Sequence, residues 1–421
     1  MSARLQLGVL ICLLTAGFLL REEVSGTFKG FEKGWVAWLT NSSGASEGQK
    51  VAFIRIDDSE ERIFESWPLS PGDYALLLQN LRNFEPQLVG IAPSLRWEKP
   101  GLLYDSLIRE LDAIPQTVLG TELSFLEAEG GFVDPALAAL FQPIEDIIGN
   151  RKRVPAITTV LDLPQDEVRA GRPLAFTRLG NSVGNRLATG ELTVPLLARY
   201  GDAVIPGFVL QLAMLNLEVP VSEVKVSLGR WIRMADTEIP IDETGSMVVN
   251  MGLRDFIPRV NASALLLGSD LESTALTEEE LLAIRLVKES AVVIGIDDRR
   301  FRSVQVPDTE VGMISPADFL VTALGTIQGG RYVRELGLPG KMVIWVLAFF
   351  GASVLFLFPA RKSLLLGFAL VTGFGIFGFL AFLILDVWAS PIVPLGTLFV
   401  AIVAAGMTSS SGQPEEEERS E

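Results

Sequence analysis

Three apolar runs follow one another near the C-terminal end of the chain, and no other feature restricts the fold as much. They are Met342 to Phe358, Leu364 to Leu385 and Ala389 to Met407, separated only by Pro359-Ala360-Arg361-Lys362 and by Asp386-Val387-Trp388. A water-soluble core rarely places such runs back to back, whereas roughly 17 to 25 apolar residues are what a helix needs to cross a bilayer. A fourth run, Leu5 to Leu20, lies between Arg4 and Arg21. A removed signal peptide would read similarly, but no small-x-small cleavage pattern follows Leu20 and Cys12 sits inside the run, which favours an uncleaved anchor. The expectation is an all-α transmembrane bundle of four helices, over residues 5–21, 342–358, 364–385 and 389–407.

Orientation follows from charge. Arg361 and Lys362 are the charges of the first short loop, and Arg4 precedes the first run, so both belong on the cytoplasmic side. Residues 1–4 are then inside, residues 22–340 outside, and the acidic tail 408–421 inside. Asp386 and Trp388 fall at the outer interface. No ionisable residue lies deep in the three C-terminal runs, which argues against an ion or proton path. Small residues four apart, Ala369 with Gly373 and Ala401 with Ala405, allow close helix packing within the bundle or across a homodimer.

Composition agrees once the apolar excess has a location. The 421 residues are 49% hydrophobic and 20% charged, with a mean hydropathy of +0.37. The 35 basic and 51 acidic residues give a net charge of −16, which speaks against nucleic acid as a partner. There is no histidine, and Cys12 is the one cysteine. Ser/His/Asp and Cys/His catalysis, zinc sites of His/Cys type and haem ligation by histidine are therefore excluded. No nucleophile motif or phosphate-binding glycine loop is present either, so the chain is expected to be no enzyme and to carry no cofactor.

The external region reads as an α/β fold with a largely parallel sheet. Val51 to Ile56 (VAFIRI) is a near-continuous apolar run ending in Asp57-Asp58, as a strand buried on both faces would be. Ser70-Pro71 opens a helix over Gly72 to Phe84, and Gln87 to Ala92 is the next strand. A helix around Gly101 to Ala113 and a strand at Thr117 to Gly120 continue an alternation that implies right-handed crossovers. The acidic, Gly- and Pro-rich stretch from Glu127 to Arg172 is expected to be an excursion with short helices. Asn181 to Asn185 reads as a turn, Phe208 to Leu217 as an apolar helix, and Pro240 to Asn250 as a turn into a strand. Ala291 to Ile296 (AVVIGI) is another buried strand, ending in Asp297-Asp298, and Pro316 to Ile327 is the last helix before the membrane.

The run IRIDDSEERIFESWPLSPGDYALLLQNL, from Ile54 to Leu81, resembles the opening signature of the CHASE2 family: an apolar strand ending in Ile-Asp, then Trp-Pro, then a helix. PIDETGSMVVNMG, the later AVVIGI with its aspartate, and a helix leading into three membrane runs resemble the family's second half. The resemblance implies an extracytoplasmic sensory domain of a bacterial signalling protein, in the cytoplasmic membrane. The chain departs from the pattern at Ala92-Pro93, where an aspartate is usual, and at Gly312-Met313-Ile314-Ser315-Pro316, which lacks the usual histidine. Family members usually continue into an output domain. Here the reading is a sensor that signals to a separately encoded cytoplasmic protein.

The two Ile-Asp-Asp endings are the best candidate constellation. Ligands of open α/β sheets bind beyond the carboxyl ends of the strands, and carboxylates there could hold a divalent cation or a polar ligand. Aspartates also cap the turns that follow strands, and both readings stay open at this point. The candidate ligand-binding residues are Asp57, Asp58, Trp67, Asp297 and Asp298, with Trp67-Pro68 either shaping a pocket or anchoring a loop. Arg55, inside an apolar strand, either reaches the surface or pairs with a buried carboxylate. The leading function is a membrane-anchored sensor of an external small molecule or protein. The alternative is a scaffold or assembly protein whose external domain docks a partner without switching.

Overall fold

The computed structural model describes residues 3–25, 27–41, 50–57, 69–98, 101, 103–124, 138–157, 159–179, 192–267, 278–298, 300, 303–305 and 312–410. Contacts divide the chain into two compact units: Met1–Leu39 with Val333–Glu421, and Thr40–Tyr332.

Helix α1 (Ala3–Ser25) continues past the apolar run through Arg21, Glu22 and Glu23. Helix α2 (Lys29–Asn41) falls in the stretch expected to be external, for which the sequence predicts no helix.

The second unit begins with β1 (Val51–Ile56) and α3 (Pro71–Arg82). Ser70 caps α3 as expected. Its hydroxyl accepts from the Asp73 N–H at 3.2 Å, and the Asp73 carboxylate accepts from the Ser70 N–H at 2.8 Å. Strand β2 (Leu88–Ile91), helix α4 (Tyr104–Ala113) and strand β3 (Thr117–Ser124) follow. Where the next stretch is described, strands replace most of the helix expected there. They are β4 (Asp146–Ile148), β5 (Ala156–Ile157) and β6 (Thr159–Asp162), joined by a 3-10 turn at Arg151–Arg153 and followed by the single-turn α5 (Asp166–Arg169). In β6 exposed and half-buried residues alternate, a period of two that no helix would keep.

Strands β7 (Leu174–Phe176), β8 (Thr193–Pro195), β9 (Leu197–Tyr200) and β10 (Ala203–Pro206) lead to α6 (Phe208–Asn216). Strands β11 (Lys225–Ser227), β12 (Trp231–Met234) and β13 (Thr237–Pro240) form an antiparallel meander, and β14 (Ser246–Val248) pairs with β8. The unit ends with β15 (Arg259–Asn261), α7 (Ala262–Leu267), α8 (Glu278–Arg285), β16 (Ala291–Ile296), β17 (Val304–Gln305), β18 (Met313–Ile314) and α9 (Pro316–Gly329). The Asn181 to Asn185 turn lies outside the described residues.

The central sheet has the order β15-β1-β16-β2-β3, and both β7 and β6 pair with β3. Strand β1 runs parallel to β15 and β16, β2 parallel to β16 and β3, and β7 parallel to β3; β6 is antiparallel to β3. The continuous apolar sequence of β1 is explained by burial on two sides. Val51 and Phe53 enter the core that contains α6 and α9, while Ala52, Ile54 and Ile56 enter the one that contains α3, α4, α7 and α8. Each of Val51, Phe53, Ile54 and Ile56 contributes about 1.5–3 kcal/mol on burial.

Gly330, at φ 62°, ends α9 in the left-handed conformation that glycine adopts without strain. Then come β19 (Arg334–Glu335), α10 (Leu338–Leu355), α11 (Ala360–Leu385), β20 (Val387–Trp388) and α12 (Ile392–Ser410). Helices α1, α10 and α11 are long and apolar enough to cross a membrane, over Leu5–Glu23, Leu338–Leu355 and Ala360–Leu385; the apolar stretch of α12, Ile392–Thr408, is shorter. Helix α12 packs against all three, around Cys12, Ala352, Leu355, Leu398, Ala401 and Ala405. Of the small-residue pairs, Ala401 and Ala405 are thus buried within the chain, whereas a Cβ at Gly373 would meet nothing within 4 Å.

At one end of this unit β19 pairs with β20, and Glu23 faces Lys341 at 3.9 Å. Trp38 of α2 stacks on Trp35 and meets Phe379 of α11, with ring centroids 5.2 and 5.4 Å apart. The C-terminal ends of α1 and α11 and the N-terminal end of α10 therefore lie together.

Candidate functional site

The carboxyl edge of the central sheet gathers the acidic endings that the sequence singles out. Ile56 and Ile296 are register partners on the parallel strands β1 and β16. Asp57 and Asp297 are therefore neighbours, and the Asp297 N–H donates to the Ile56 carbonyl at 2.9 Å. Alternation along a strand puts Phe53, Arg55 and Asp57 on the α9 face, together with Gly295 and Asp297 of β16. Arg55 resolves into neither of the two roles expected for it. Its Nε donates to the side-chain oxygen of Asn261, its register partner on β15.

Asp297 is 6% exposed and Asp298 is fully buried. Asp298 is taken up by its own turn. Its Oδ1 accepts from the Arg300 N–H at 2.8 Å and its carboxylate from Arg300 Nε at 2.7 and 3.0 Å. The Arg300 hydrogen bonds hold the Asp298 carboxyl below the ordinary carboxylate range, against burial and the nearby charge of Asp57. Asp298 thus caps the turn after β16. Among the described residues, no group of three or more carboxylates or cysteines is arranged to hold a metal ion. Asp58 and Trp67 lie outside the described residues.

Helix α9 closes the same edge. Ser315 caps it, its hydroxyl accepting from the Asp318 N–H at 3.2 Å. The first turn sits on β16, where Gly295 leaves room for it: a Cβ at position 295 would come within 2.4 Å of the Ala317 methyl. Asp318, 1% exposed, accepts from Arg254 Nε at 2.8 Å and from Arg259 Nη2 at 3.0 Å. Arg259 stands on β15 and Arg254 in the 3-10 turn before it, so this clamp ties the helix start to the sheet edge.

Sequence reasoning missed Asp318, Arg254 and Arg259. The motif Ser315-Pro316-Ala317-Asp318 is legible as a helix start, but the two arginines stand 64 and 59 residues from the carboxylate. Nothing local announces that they converge.

On the other face, Trp97 Nε1 donates to the Leu69 carbonyl at 2.9 Å, and its ring meets Tyr74 and Tyr104 edge-on at 6.0 and 6.4 Å. Burial pushes the Tyr74 hydroxyl above its ordinary pKa, so it stays neutral. This aromatic group packs the start of α3 and reads as core.

A model of the CHASE2 domain matches residues 9–371. That span runs from within α1, through the whole α/β unit and α10, into α11. No curated protein and no solved structure matches the chain.

Proposed function

The chain belongs to the CHASE2 domain family, an extracytoplasmic sensory domain, and from that premise we propose that it is a multi-pass sensor of the bacterial cytoplasmic membrane. The α/β unit binds an external small-molecule or protein ligand at the carboxyl edge of its sheet, with Asp57 and Asp297 facing the ligand. Helices α1, α10, α11 and α12 form four spans, and a cytoplasmic output protein receives the signal.

The observation that carries this reading is the junction after α9. Tyr332 is buried in the core of the α/β unit and the next residue, Val333, in a cluster of the helical unit. Asn250 Nδ2 also donates to the Arg331 carbonyl at 3.3 Å, and Asn250 N–H to Thr326 Oγ1 at 3.1 Å. Helix α9, 14 residues long and so about 21 Å, runs from the candidate edge to that junction. Binding would have to favour one of two α9 positions over the other, because a ligand shifts an equilibrium only by its differential affinity.

A second reading is favoured by the satisfied state of the edge. Asp298 and Asp318 already have arginine partners, as in a domain that docks a partner without switching. Mild crosslinking in native membranes, followed by identification of the attached proteins, separates the two. A cyclase, kinase or phosphatase attached on the cytoplasmic side supports the sensor; attachment of external envelope proteins alone supports the scaffold.

A further inference from the structure

We propose that α2 is an interfacial helix whose aromatic face lies at the headgroup–acyl boundary of the bilayer, in the leaflet that meets the C-terminal ends of α1 and α11. The proposal rests on α1 and α11 crossing the membrane and not on the sensor reading.

Phe31, Trp35 and Trp38 stand at i, i+4 and i+7 of α2, so the three aromatic residues share one stripe of the helix. Trp35, Val36 and Leu39 join a cluster with Phe379 and Phe382 of α11. That packing covers the stripe only in part: Phe31 stays 59% and Trp38 47% exposed. Large aromatic side chains grouped and exposed on one face mark a contact surface.

The place of this face in the fold argues for lipid as its occupant. The Thr27 N–H donates to the Glu22 carbonyl at 3.1 Å, and Thr27 Oγ1 donates to the Glu22 carboxylate at 2.8 Å. This tight turn keeps the start of α2 beside the end of the apolar stretch Leu5–Glu23. Trp38 meets Phe379, which stands six residues before the end of α11 at Leu385, about 9 Å along the axis. The 26 residues of α11 extend about 39 Å, against about 30 Å of bilayer hydrocarbon. With the excess shared between the two ends, Phe379 lies about 5 Å inside the hydrocarbon boundary. Interfacial helices sink their apolar face to about that depth, 5–10 Å. Near the same level α11 exposes Ile376 and Leu380, so what surrounds this end of α11 also reaches Trp38. A water-soluble partner seated there would have to displace lipid from α11, whereas indole and phenyl rings favour the interface by themselves.

The test places nitroxide labels on single cysteines of the full chain, in a Cys12→Ala background and in phosphatidylcholine nanodiscs. Phe31→Cys reports on α2, Phe377→Cys on the lipid beside α11, and Asp236→Cys on water around the α/β unit, all three being exposed positions. Collisions are measured with oxygen, which concentrates in the bilayer, and with a nickel chelate, which stays in water. The oxygen-to-nickel ratio at position 31 is expected to exceed that at 236 about tenfold, because a face sunk into the boundary excludes the chelate. A ratio at 31 equal to that at 236, with 377 in lipid, would put the face in water and overturn the proposal alone. Low collision with both reagents would show a second copy or another protein covering the face, and would overturn it as well. A water-like ratio at 377 would remove α11 from the membrane, and the proposal would fall together with the membrane reading.

Discussion

Asp318 lies 1% exposed at the start of α9, a burial that a carboxylate tolerates only with cationic partners, and Arg254 and Arg259 supply them from below the sheet edge. Replacing it by alanine takes the buried carboxylate from both part-buried guanidinium groups and leaves Arg254 only the exposed Asp255, so Asp318→Ala is expected to destabilise the α/β unit by about 3–5 kcal/mol. Thermal unfolding of the full chain measures this, and a loss below about 1 kcal/mol would show the clamp to be incidental. The Asp298–Arg300 pair makes a prediction about pH. The folded pKa of Asp298 is depressed by Arg300, so the pair stabilises the fold fully above the unfolded carboxylate value of about 3.9 and stops doing so as pH falls through the lower folded value. Arg300→Gln should therefore melt lower than the parent at pH 7, and the gap should close on acidification below about pH 4. A gap that persists unchanged into that range would contradict the assignment. At this scale the sequence is legible where the chemistry is local. Ser70 and Asp73 announce their cap within four residues, and the paired aspartates after β1 and β16 announce an edge. The Asp318 clamp and the Arg55–Asn261 bond depend on strand pairing between distant segments, which no short window contains.

Among the elements, α9 is the last of the α/β unit, and its seat on β16 rests on a missing side chain. A methyl at position 295 would lie 2.4 Å from the Ala317 Cβ and 3.2 Å from Phe53 Cε2. Gly295→Ala is expected to cost about 1–3 kcal/mol by overpacking. The double variant Gly295→Ala/Ala317→Gly should recover most of that loss in the same melting experiment, since it removes the opposing methyl. Absence of recovery would place the strain elsewhere. Elements with strong patterns, such as β1, α3, α6, β16 and α9, stand close to where periodicity and caps put them. Helix α2 did not, because its sequence KGFEKGWVAWLTN mixes two glycines and two lysines with aromatics whose partner, Phe379, is more than 300 residues away. Strand β15 is three residues long, too short for any period, and exists through its register with β1. The meander β11–β13 and strands β4–β6 belong to the same class of short strands fixed by their neighbours rather than by propensity.

For the whole molecule, hydropathy made the candidate membrane helices visible, while the junction at Tyr332 and Val333 was not visible at all, because two adjacent residues carry no mark of which core each enters. Topology is checked with single cysteines in a Cys12→Ala background. Asp236→Cys, in the exposed turn between β12 and β13, should react with an impermeant maleimide on intact cells, and Lys362→Cys only after permeabilisation. The reverse pattern would invert the orientation. The claim on which the sensor account rests is that α9 carries changes at the sheet edge to the membrane helices, and hydrogen–deuterium exchange on the full chain in nanodiscs, parent against Gly295→Ala, tests it most directly. The account predicts faster amide exchange in α9 and also in the first turns of α10, beyond Leu338. A change confined to residues 40–332, with α10 and α11 exchanging as in the parent, would contradict it and leave a docking domain on a passive anchor.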